Sequence, residues 1–287
     1  MTKVYTLSAF AKTSEGGNPA GVCLDADNLS EEQMQKIAAQ VGFSETAFVQ
    51  KSKKADFKVR FFTPTNEIAL CGHATIATFS LMFQKGKIPA GKYRQETKAG
   101  VLGIEIMANG LVFMNQNPPQ YLGVLTKEKI AECLNLKASD IDTRFPVEIV
   151  NTGVPTIVVP LSSLETLLRL KPTMKKILDV TKKYQNSLMY VFTRETKSKS
   201  STAHGRMFAP SHGIDEESAT GMANGALACY LFKHDLISDP SNLIFEQGYS
   251  MNKPSEIFGK LKIDRNEIKE VIIGGTAMLM KELEIYS

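Results

Sequence analysis

Two segments of the chain are apolar on nearly every side. They read CGHATIATFSLMF at positions 71–83 and TGMANGALACYLF at positions 220–232. A helix at a protein surface carries polar residues along one face, and neither segment has such a face. We therefore predict two buried helices, each enclosed by strands of its own half of the chain.

The two segments are also related in sequence. When they are aligned, four positions are identical, and the upstream stretches RFFTP (60–64) and RMFAP (206–210) add three more identities. Identities at this density within one chain are typical of a duplicated structural unit. The sequence therefore predicts two similar lobes.

Each half has an amphipathic helix that leads into a strand. Ser30 and Gln33 have the spacing of a capping box, and Gly42 is suited to end the helix. In the second half Thr173 can cap the corresponding helix, and a strand follows over 187–193. Short strand-like stretches separated by turns surround both units. We predict an α+β protein whose lobes cover residues 1–116 and 117–287, and the pattern leaves open whether the last strand packs back on the first lobe.

The composition excludes several classes of protein. Of the 287 residues, 43% are hydrophobic and 22% are charged, and the net charge of +4 comes from scattered lysines that form no basic face for nucleic acid. No stretch approaches the length of a membrane span, so we expect a cytoplasmic protein without a membrane partner. Neither the histidines nor the cysteines have the spacing of a metal site, and the four cysteines are expected to be reduced thiols: Cys23, Cys71, Cys133 and Cys229.

The N-termini of the two predicted helices are candidate anion sites. Unpaired backbone amides and the positive end of the helix dipole favour a carboxylate there. Gly72 and Gly221 leave the first-turn amides accessible, and Ala74 keeps the next position small. The alternative is that these residues are small only because strands pack closely against them. If the lobes are related, both termini are expected to face one cleft.

Glu45 is a candidate general acid/base. In a strand-like stretch it alternates with Phe43 and Ala47, which places it on an apolar face. A carboxyl group in an apolar cavity has a raised pKa and suits proton transfer near neutral pH. The alternative is that the strand is turned the other way, with Phe48 inside and Glu45 in solvent.

His73 and Cys71 stand at the start of the first buried helix. The helix dipole is expected to keep the imidazole of His73 neutral, so that it can donate or accept at a substrate oxygen. A histidine that caps the helix or fills the core is the alternative. Leu188 and Thr220 occupy the positions that align with Glu45 and Cys71, so a relay between two thiols is missing one thiol. We therefore expect Cys71 to be dispensable.

Six motifs follow one another along the chain: GNPAGV (17–22), FSETAFV (43–49), ALCGHATIATF (69–79), FAPSHGIDEESATG (208–221), FEQG (245–248) and VIIGGTAMLM (271–280). In this order and spacing they resemble the PhzF-like family of phenazine-biosynthesis isomerases, which is related in fold to diaminopimelate epimerase. The resemblance covers essentially the whole chain. It implies two pseudo-symmetric lobes, each a β-barrel-like sheet wrapped around a central helix, with a cleft between them. It also implies catalysis with no cofactor, and a homodimer.

The resemblance assigns roles to particular positions. The catalytic glutamate of the family falls on Glu45, its site histidine on His73, and the acidic residue of its second loop on Glu217. We predict these three as catalytic residues, with no metal. The predicted substrate-binding residues, at the two helix N-termini, are Gly72, Ala74, Thr220, Gly221 and Met222.

The second loop departs from the family pattern. Where the family commonly has Glu-Asp-Pro-Ala-Thr-Gly-Ser, this chain has EESATGM at 216–222. Glu217 keeps the acidic group, but Met222 replaces a serine hydroxyl with an apolar thioether. This puts the phenazine precursor in doubt as a substrate. Diaminopimelate epimerases need a cysteine in each lobe, so Thr220 argues against that activity.

Together these patterns predict a cofactor-independent isomerase that moves a proton on a small unsaturated or amino-carboxylate substrate. The alternative is a non-catalytic protein on the same scaffold that binds a small carboxylate or another partner. Glu45 distinguishes the two hypotheses, because a protein that only binds anions gains nothing from a buried carboxylate in its site.

Overall fold

The computed structural model describes residues 1–286. In this part of the chain the strands are β1 (Thr2–Ala9), β2 (Asn18–Cys23), β3 (Thr46–Gln50), β4 (Phe57–Phe62), β5 (Glu67–Ile68), β6 (Gly91–Thr97), β7 (Gly100–Ile106), β8 (Val112–Gln116), β9 (Gln120–Leu125), β10 (Val147–Asn151), β11 (Pro155–Pro160), β12 (Leu188–Thr193), β13 (Ala203–Ala209), β14 (Ile214–Glu217), β15 (Leu243–Gln247), β16 (Ser255–Asp264), β17 (Glu267–Gly275) and β18 (Ala277–Ile285). The α-helices are α1 (Glu31–Val41), α2 (Gly72–Gln84), α3 (Lys127–Leu134), α4 (Leu164–Arg169), α5 (Met174–Lys183) and α6 (Gly221–Lys233). None of the described helices has both the length and the apolar character needed to cross a bilayer.

The described chain divides into two compact units. The first contains Met1–Asn115 and the chain from Gly274 onward, and the second contains Gln116–Ile273. The last strand, β18, thus belongs to the first unit, where it pairs with the whole length of β1.

The strands of the first unit pair in a definite series. β1 is antiparallel to β18 and β2, β2 is parallel to β3, and β3 is antiparallel to β4. β4 is antiparallel to β5 and parallel to β6, and β6 is antiparallel to β7. Parallel neighbours need a crossover connection, and here α1 and α2 provide the two crossovers.

The second unit repeats this series. β10 is antiparallel to β9 and β11, β11 is parallel to β12, and β12 is antiparallel to β13. β13 is antiparallel to β14 and parallel to β15, and β15 is antiparallel to β16. The crossovers contain α4 and α5 in the first case and α6 in the second. The predicted duplication is confirmed by this correspondence of strand pairings.

α2 and α6 are the central helices of their units. Every residue of α2 from His73 to Met82 is buried, and in α6 only Met222 interrupts the burial between Gly221 and Leu231. α2 packs against β1, β2, β3, β7 and β18, whereas α6 packs against β10, β11, β12 and β16. The prediction of two buried helices enclosed by strands is confirmed, and each helix begins one residue later than predicted.

The first lead-in helix has the predicted ends. Ser30 Oγ accepts a hydrogen bond from the Gln33 amide, and the Gln33 side chain accepts one from the Ser30 amide. Gly42 follows the helix with φ of 71°, in the left-handed region that favours glycine. In the second unit Thr173 does precede a helix, α5, but its side chain makes no cap hydrogen bond.

The strand after α1 begins later than predicted. β3 starts at Thr46, so Glu45 precedes the strand instead of lying within it. Phe48 packs in a cluster with Met34 and Ile37 of α1, while β3 also contacts α2. Both faces of β3 are therefore covered, and the alternation of side chains could not decide whether Glu45 is buried.

Candidate active site

Close packing does not explain the glycine in the first turn of α2. A Cβ added to Gly72 would have Met114 Sδ as its nearest contact, at an ordinary van der Waals distance of 3.8 Å. Packing therefore does not require glycine here, and the packing alternative is wrong for Gly72. The N-cap residue Cys71 makes no side-chain cap hydrogen bond, and the first turn holds no acidic residue. This helix end can receive an anion.

Glu45 and His73 form a buried pair at this helix terminus. Glu45 Oε2 lies 3.1 Å from His73 Nε2, and the two side chains are 12% and 6% exposed. No donor meets hydrogen-bond geometry at Glu45 Oε2, but His73 Nε2 is close enough to form an ion pair with it. The alternative that Glu45 is solvated is wrong. Its buried oxygen keeps a lone pair that can accept a proton.

The pair determines the charge of both groups. Burial acts to raise the pKa of Glu45, but interactions with His73, Ser44 and Cys71 outweigh burial and hold that pKa below its usual value of 4.5. Burial acts to lower the pKa of His73, yet Cys71 and Glu45 hold it well above 6.5. Two expectations are therefore wrong, because Glu45 does not have a raised pKa and His73 is not kept neutral. A carboxylate in contact outweighs the partial charge of a helix end.

Cys71 completes the cluster as a neutral thiol. Its Sγ lies 3.5 Å from His73 Nδ1. Burial and the carboxylate of Glu45 raise the pKa of the Cys71 thiol, and they outweigh His73 and the Ala74 amide, which act to lower it. A thiol with a raised pKa remains protonated at neutral pH and is a poor nucleophile. Cys71 thus contacts both members of the pair without being activated by the helix terminus.

Asn18 contacts the second ring nitrogen of His73. Asn18 Nδ2 lies 3.2 Å from His73 Nδ1, and the side chain of Asn18 is buried. Two donors would meet there if the ring were doubly protonated, so that state requires the Asn18 amide to be turned with its oxygen toward Nδ1. Sequence reasoning missed this residue, although the motif GNPAGV contains it. A buried asparagine at the start of the otherwise apolar strand β2 was the available signal.

Within residues 1–286, one group of three side chains has the composition of a metal site. The ligand atoms of Glu45, Cys71 and His73 all lie within 4.8 Å of one another. Carboxylate, thiolate and imidazole are ligands of zinc, but they bind it in deprotonated form. Here the pKa values of the thiol and the imidazole are both raised, so a metal would have to displace protons from both groups. The cluster therefore suits proton transfer better than metal binding.

The predicted residues of the second unit gather at the N-terminus of α6. Thr220 is the N-cap residue, and its hydroxyl donates to Glu217 Oε2 at 2.5 Å. The buried side chain of Gln247 bonds to both residues. The carbonyl group of Gly221 accepts a hydrogen bond from Gln116 Nε2 at 2.9 Å. Each unit therefore has one helix terminus with its own group of predicted site residues.

Met222 is the partly exposed residue in the first turn of α6. A Cβ added to Gly153 would lie only 2.9 Å from Met222 Sδ, so the thioether packs directly on this glycine. Gly153 has φ of 150°, which favours glycine, and its amide donates to Asn151 Oδ1. Met222 thus covers a fixed turn at the helix terminus with an apolar group.

The prediction that both helix termini face one cleft stays a prediction.

Comparison with known proteins identifies relatives over the full length of the chain. The profile of the family described as phenazine biosynthesis-like protein, PhzC-PhzF, matches residues 7–282. An uncharacterized isomerase of Clostridium acetobutylicum is 35% identical over 98% of this chain and 97% of its own. The trans-2,3-dihydro-3-hydroxyanthranilate isomerase of Pseudomonas chlororaphis is 29% identical over 97% of both chains.

Solved structures of related proteins have the same fold along the whole chain. The crystal structure of the PhzF-family phenazine biosynthesis protein of Bacillus anthracis matches with a TM-score of 0.91 and 33% identity, covering 100% of this chain and 99% of that chain. A probable proline racemase of Agrobacterium radiobacter K84 shares the fold alone, with a TM-score of 0.65 and 11% identity over 100% and 93% of the chains. The predicted diaminopimelate epimerase-like fold class is confirmed. These matches cover nearly the whole chain, and the chain therefore belongs to the PhzF family of phenazine biosynthesis-like proteins and is an isomerase.

Proposed function

We propose that this isomerase moves a proton on a small unsaturated or amino-carboxylate substrate without using a cofactor. The observation that carries the proposal is the buried carboxylate of Glu45 in contact with His73 at an anion-accepting helix terminus. In a protein that only bound carboxylates, Glu45 would lower the affinity for the ligand, since two negative charges would meet in a buried site. The non-catalytic alternative is therefore not favoured.

Glu45 serves first as the base and then as the acid. Its Oε2 takes a proton from a substrate carbon, and the electron pair of the broken C–H bond moves into the adjacent unsaturated system. The electron pair released at the far end of that system then takes the proton from the Glu45 carboxyl group and forms a new C–H bond. The proton and the electrons balance within the substrate and one side chain, so no oxidant or second base is needed.

His73 stabilises the charge that develops during this transfer. Before the reaction its positive charge is balanced by the Glu45 carboxylate 3.1 Å away. When Glu45 becomes protonated, that balance is lost and the imidazolium faces a substrate that has just become more negative. A preorganised charge of this kind stabilises the intermediate without rearrangement of the protein.

We assign carboxylate binding to the helix termini, at Gly72 in the first unit and Gly221 in the second. Thr220 borders that terminus as the N-cap residue of α6, with its hydroxyl donating to Glu217 and its amide to Gln247. Ala74 is fully buried and can contribute only through its backbone. Met222 adds the apolar surface that borders the second terminus.

The relatives support a substrate class. The Pseudomonas chlororaphis relative is named for trans-2,3-dihydro-3-hydroxyanthranilate, which is an unsaturated cyclic amino acid with one hydroxyl group. We propose that this chain acts on the same class of unsaturated amino-carboxylate, in a form with fewer hydrogen-bonding groups. A thioether at Met222 leaves a substrate hydroxyl at that position unpaired, and buried mismatches of this kind cost about 1–3 kcal/mol.

A two-step screen tests the proposal. Small unsaturated carboxylates, with and without ring hydroxyl groups, are first ranked by thermal shift, where a ligand at a hundred times its dissociation constant adds about 2.7 kcal/mol to the free energy of unfolding. Each stabilising compound is then incubated with the protein in D₂O and followed by NMR. We expect deuterium at carbon in at least one compound. Stabilisation by several compounds with exchange in none would support a binding protein instead.

A further inference from the structure

Gln247 is a fully buried glutamine at the end of β15, and every hydrogen-bonding group of its amide is used. Its Oε1 accepts from the Thr220 amide at 3.2 Å and from Asn224 Nδ2 at 3.0 Å. Its Nε2 donates to the carbonyl oxygen of Glu217 at 2.8 Å and to Thr220 Oγ1 at 3.2 Å. A primary amide has two donors and two lone pairs, so the orientation of this side chain is completely determined.

The hydrogen bonds of Gln247 determine which way the Thr220 hydroxyl donates. A threonine hydroxyl has a single proton, and Thr220 Oγ1 already accepts from Gln247 Nε2. Its own proton is therefore directed at Glu217 Oε2, which lies 2.5 Å away. Hydrogen bonds to an ionised acceptor are the short and strong ones. Gln247 thus determines which way Thr220 donates and where one oxygen of the Glu217 carboxylate lies.

Buried residues of the second unit also hold the side-chain amide of Gln247 in place. Asn224 donates to the Thr220 carbonyl oxygen as well as to Gln247, and its Oδ1 accepts from the Tyr190 hydroxyl at 2.8 Å. Tyr190 is fully buried, and a Cβ on Gly205 would come within 2.2 Å of its hydroxyl oxygen. The tyrosine ring therefore fits only because residue 205 is glycine. The network runs from a rigid strand pair to the helix terminus.

We propose that Gln247 is a positioning residue of the isomerase, which orients the Thr220 hydroxyl toward Glu217 and holds the loop that leads into α6. The inference rests on the proposed function, in which the α6 terminus binds the substrate carboxylate. A purely structural glutamine would explain burial and hydrogen bonds. It would not explain why three of its four hydrogen bonds are made to Glu217 and Thr220. These residues stand at the start of the loop before α6 and at the N-cap of that helix.

Two substitutions of Gln247 separate positioning from stability. Gln247→Leu removes all four hydrogen bonds at every pH. Gln247→Glu places a second acceptor opposite the Thr220 hydroxyl and the Glu217 carbonyl oxygen when it is ionised, but it restores one donor when it is protonated. We expect Gln247→Leu to lower kcat about 10²-fold at all pH values, the size of effect that a misplacement of about 1 Å produces. We expect Gln247→Glu to approach wild-type activity as the pH falls and to lose it as the pH rises.

Gln95→Glu is the matched control, since Gln95 is also fully buried and donates from Nε2 to Thr75 Oγ1. A buried carboxylate destabilises both glutamate variants, but only the Gln247 variant should lose activity per folded molecule. Hydrogen exchange measured by mass spectrometry gives a readout that needs no substrate. Peptides covering 217–224 should exchange faster in Gln247→Leu at all pH values and in Gln247→Glu only at high pH.

Wild-type kcat, KM and exchange at 217–224 in both Gln247 variants would overturn the positioning role. That result would leave the proposed function intact if Glu45→Gln is inactive in the same assay. Loss of exchange protection with unchanged kcat and KM would also overturn it, by showing that the network stabilises the loop without affecting the reaction.

Discussion

Glu45 Oε2 and His73 Nε2 are 3.1 Å apart, and both side chains are almost completely buried. Their contact holds the pKa of the carboxyl group below 4.5 in spite of burial, and Cys71 together with Glu45 holds that of the imidazole well above 6.5. A base and a cation are thus placed side by side at the N-terminus of α2. Transfer of a proton to the carboxylate releases the cation to stabilise a negatively charged substrate.

Replacing His73 with glutamine should move the acid limb of the pH–activity profile to higher pH. Glu45 accepts a proton only when it is ionised, so activity is lost as the pH falls through its pKa. Because the pKa of Glu45 is held below 4.5, we expect that limb to lie below pH 4.5 in the wild-type protein. Without His73, burial is the dominant effect and the pKa of Glu45 rises. The measurement is kcat/KM between pH 4 and 9, on whichever substrate the screen identifies.

The control for this variant is His234→Gln. His234 Nε2 lies 3.0 Å from Glu148 Oε2 in the second unit, in a similar pair that the reaction does not use. Removal of the His234 imidazole should leave the acid limb of the profile in place. An acid limb that stays fixed in His73→Gln would mean that another group titrates.

Cys71→Ser should retain most of the activity. The thiol contacts His73, but its raised pKa makes it a poor base for the substrate proton. Serine preserves a small polar group at the same position, and we expect kcat to change by less than about tenfold, or about 1.4 kcal/mol. A loss of several orders of magnitude in a folded variant would show that the thiol takes part in the chemistry.

Met222→Ser should favour hydroxylated substrates. The serine hydroxyl restores a hydrogen-bonding partner at the α6 terminus and removes the thioether that lies over Gly153. A buried hydrogen bond of this type changes the relative kcat/KM of hydroxylated and unhydroxylated substrates by about 1–3 kcal/mol. Met251→Ser, at another partly buried methionine of the same unit, is the control. Equal preference in Met222→Ser and the wild type would show that residue 222 does not face the substrate.

Local patterns predicted the elements of this protein well. Ser30, Gln33 and Gly42 determine the ends of α1 through contacts within a few residues, and the apolar segments could only be buried helices. The beginning of β3 was less predictable, because both of its faces are covered and the alternation carries no information. The homodimer and the absence of a cofactor, which the resemblance implied, stay predictions.

The protonation states were not predictable from local patterns. The charge of Glu45 depends on His73, and that of His73 on Cys71 and Glu45, through contacts that form only when β2, β3 and α2 are packed together. Asn18 and Gln247 were missed for the same reason. Both stand in motifs that were recognised, but their roles follow from partners far away in the sequence.

Solvent deuterium exchange by Glu45→Gln is the most direct test of the central claim. Glutamine keeps the shape of the side chain but cannot carry a proton, so the variant should bind substrate with nearly wild-type affinity and incorporate no deuterium at carbon. Glu148→Gln, which disrupts a glutamate–histidine pair in the second unit, should exchange deuterium at the wild-type rate per folded molecule. If Glu45→Gln incorporated deuterium at a rate comparable to that of the wild type, Glu45 would not be the proton carrier and the account of the site would be wrong.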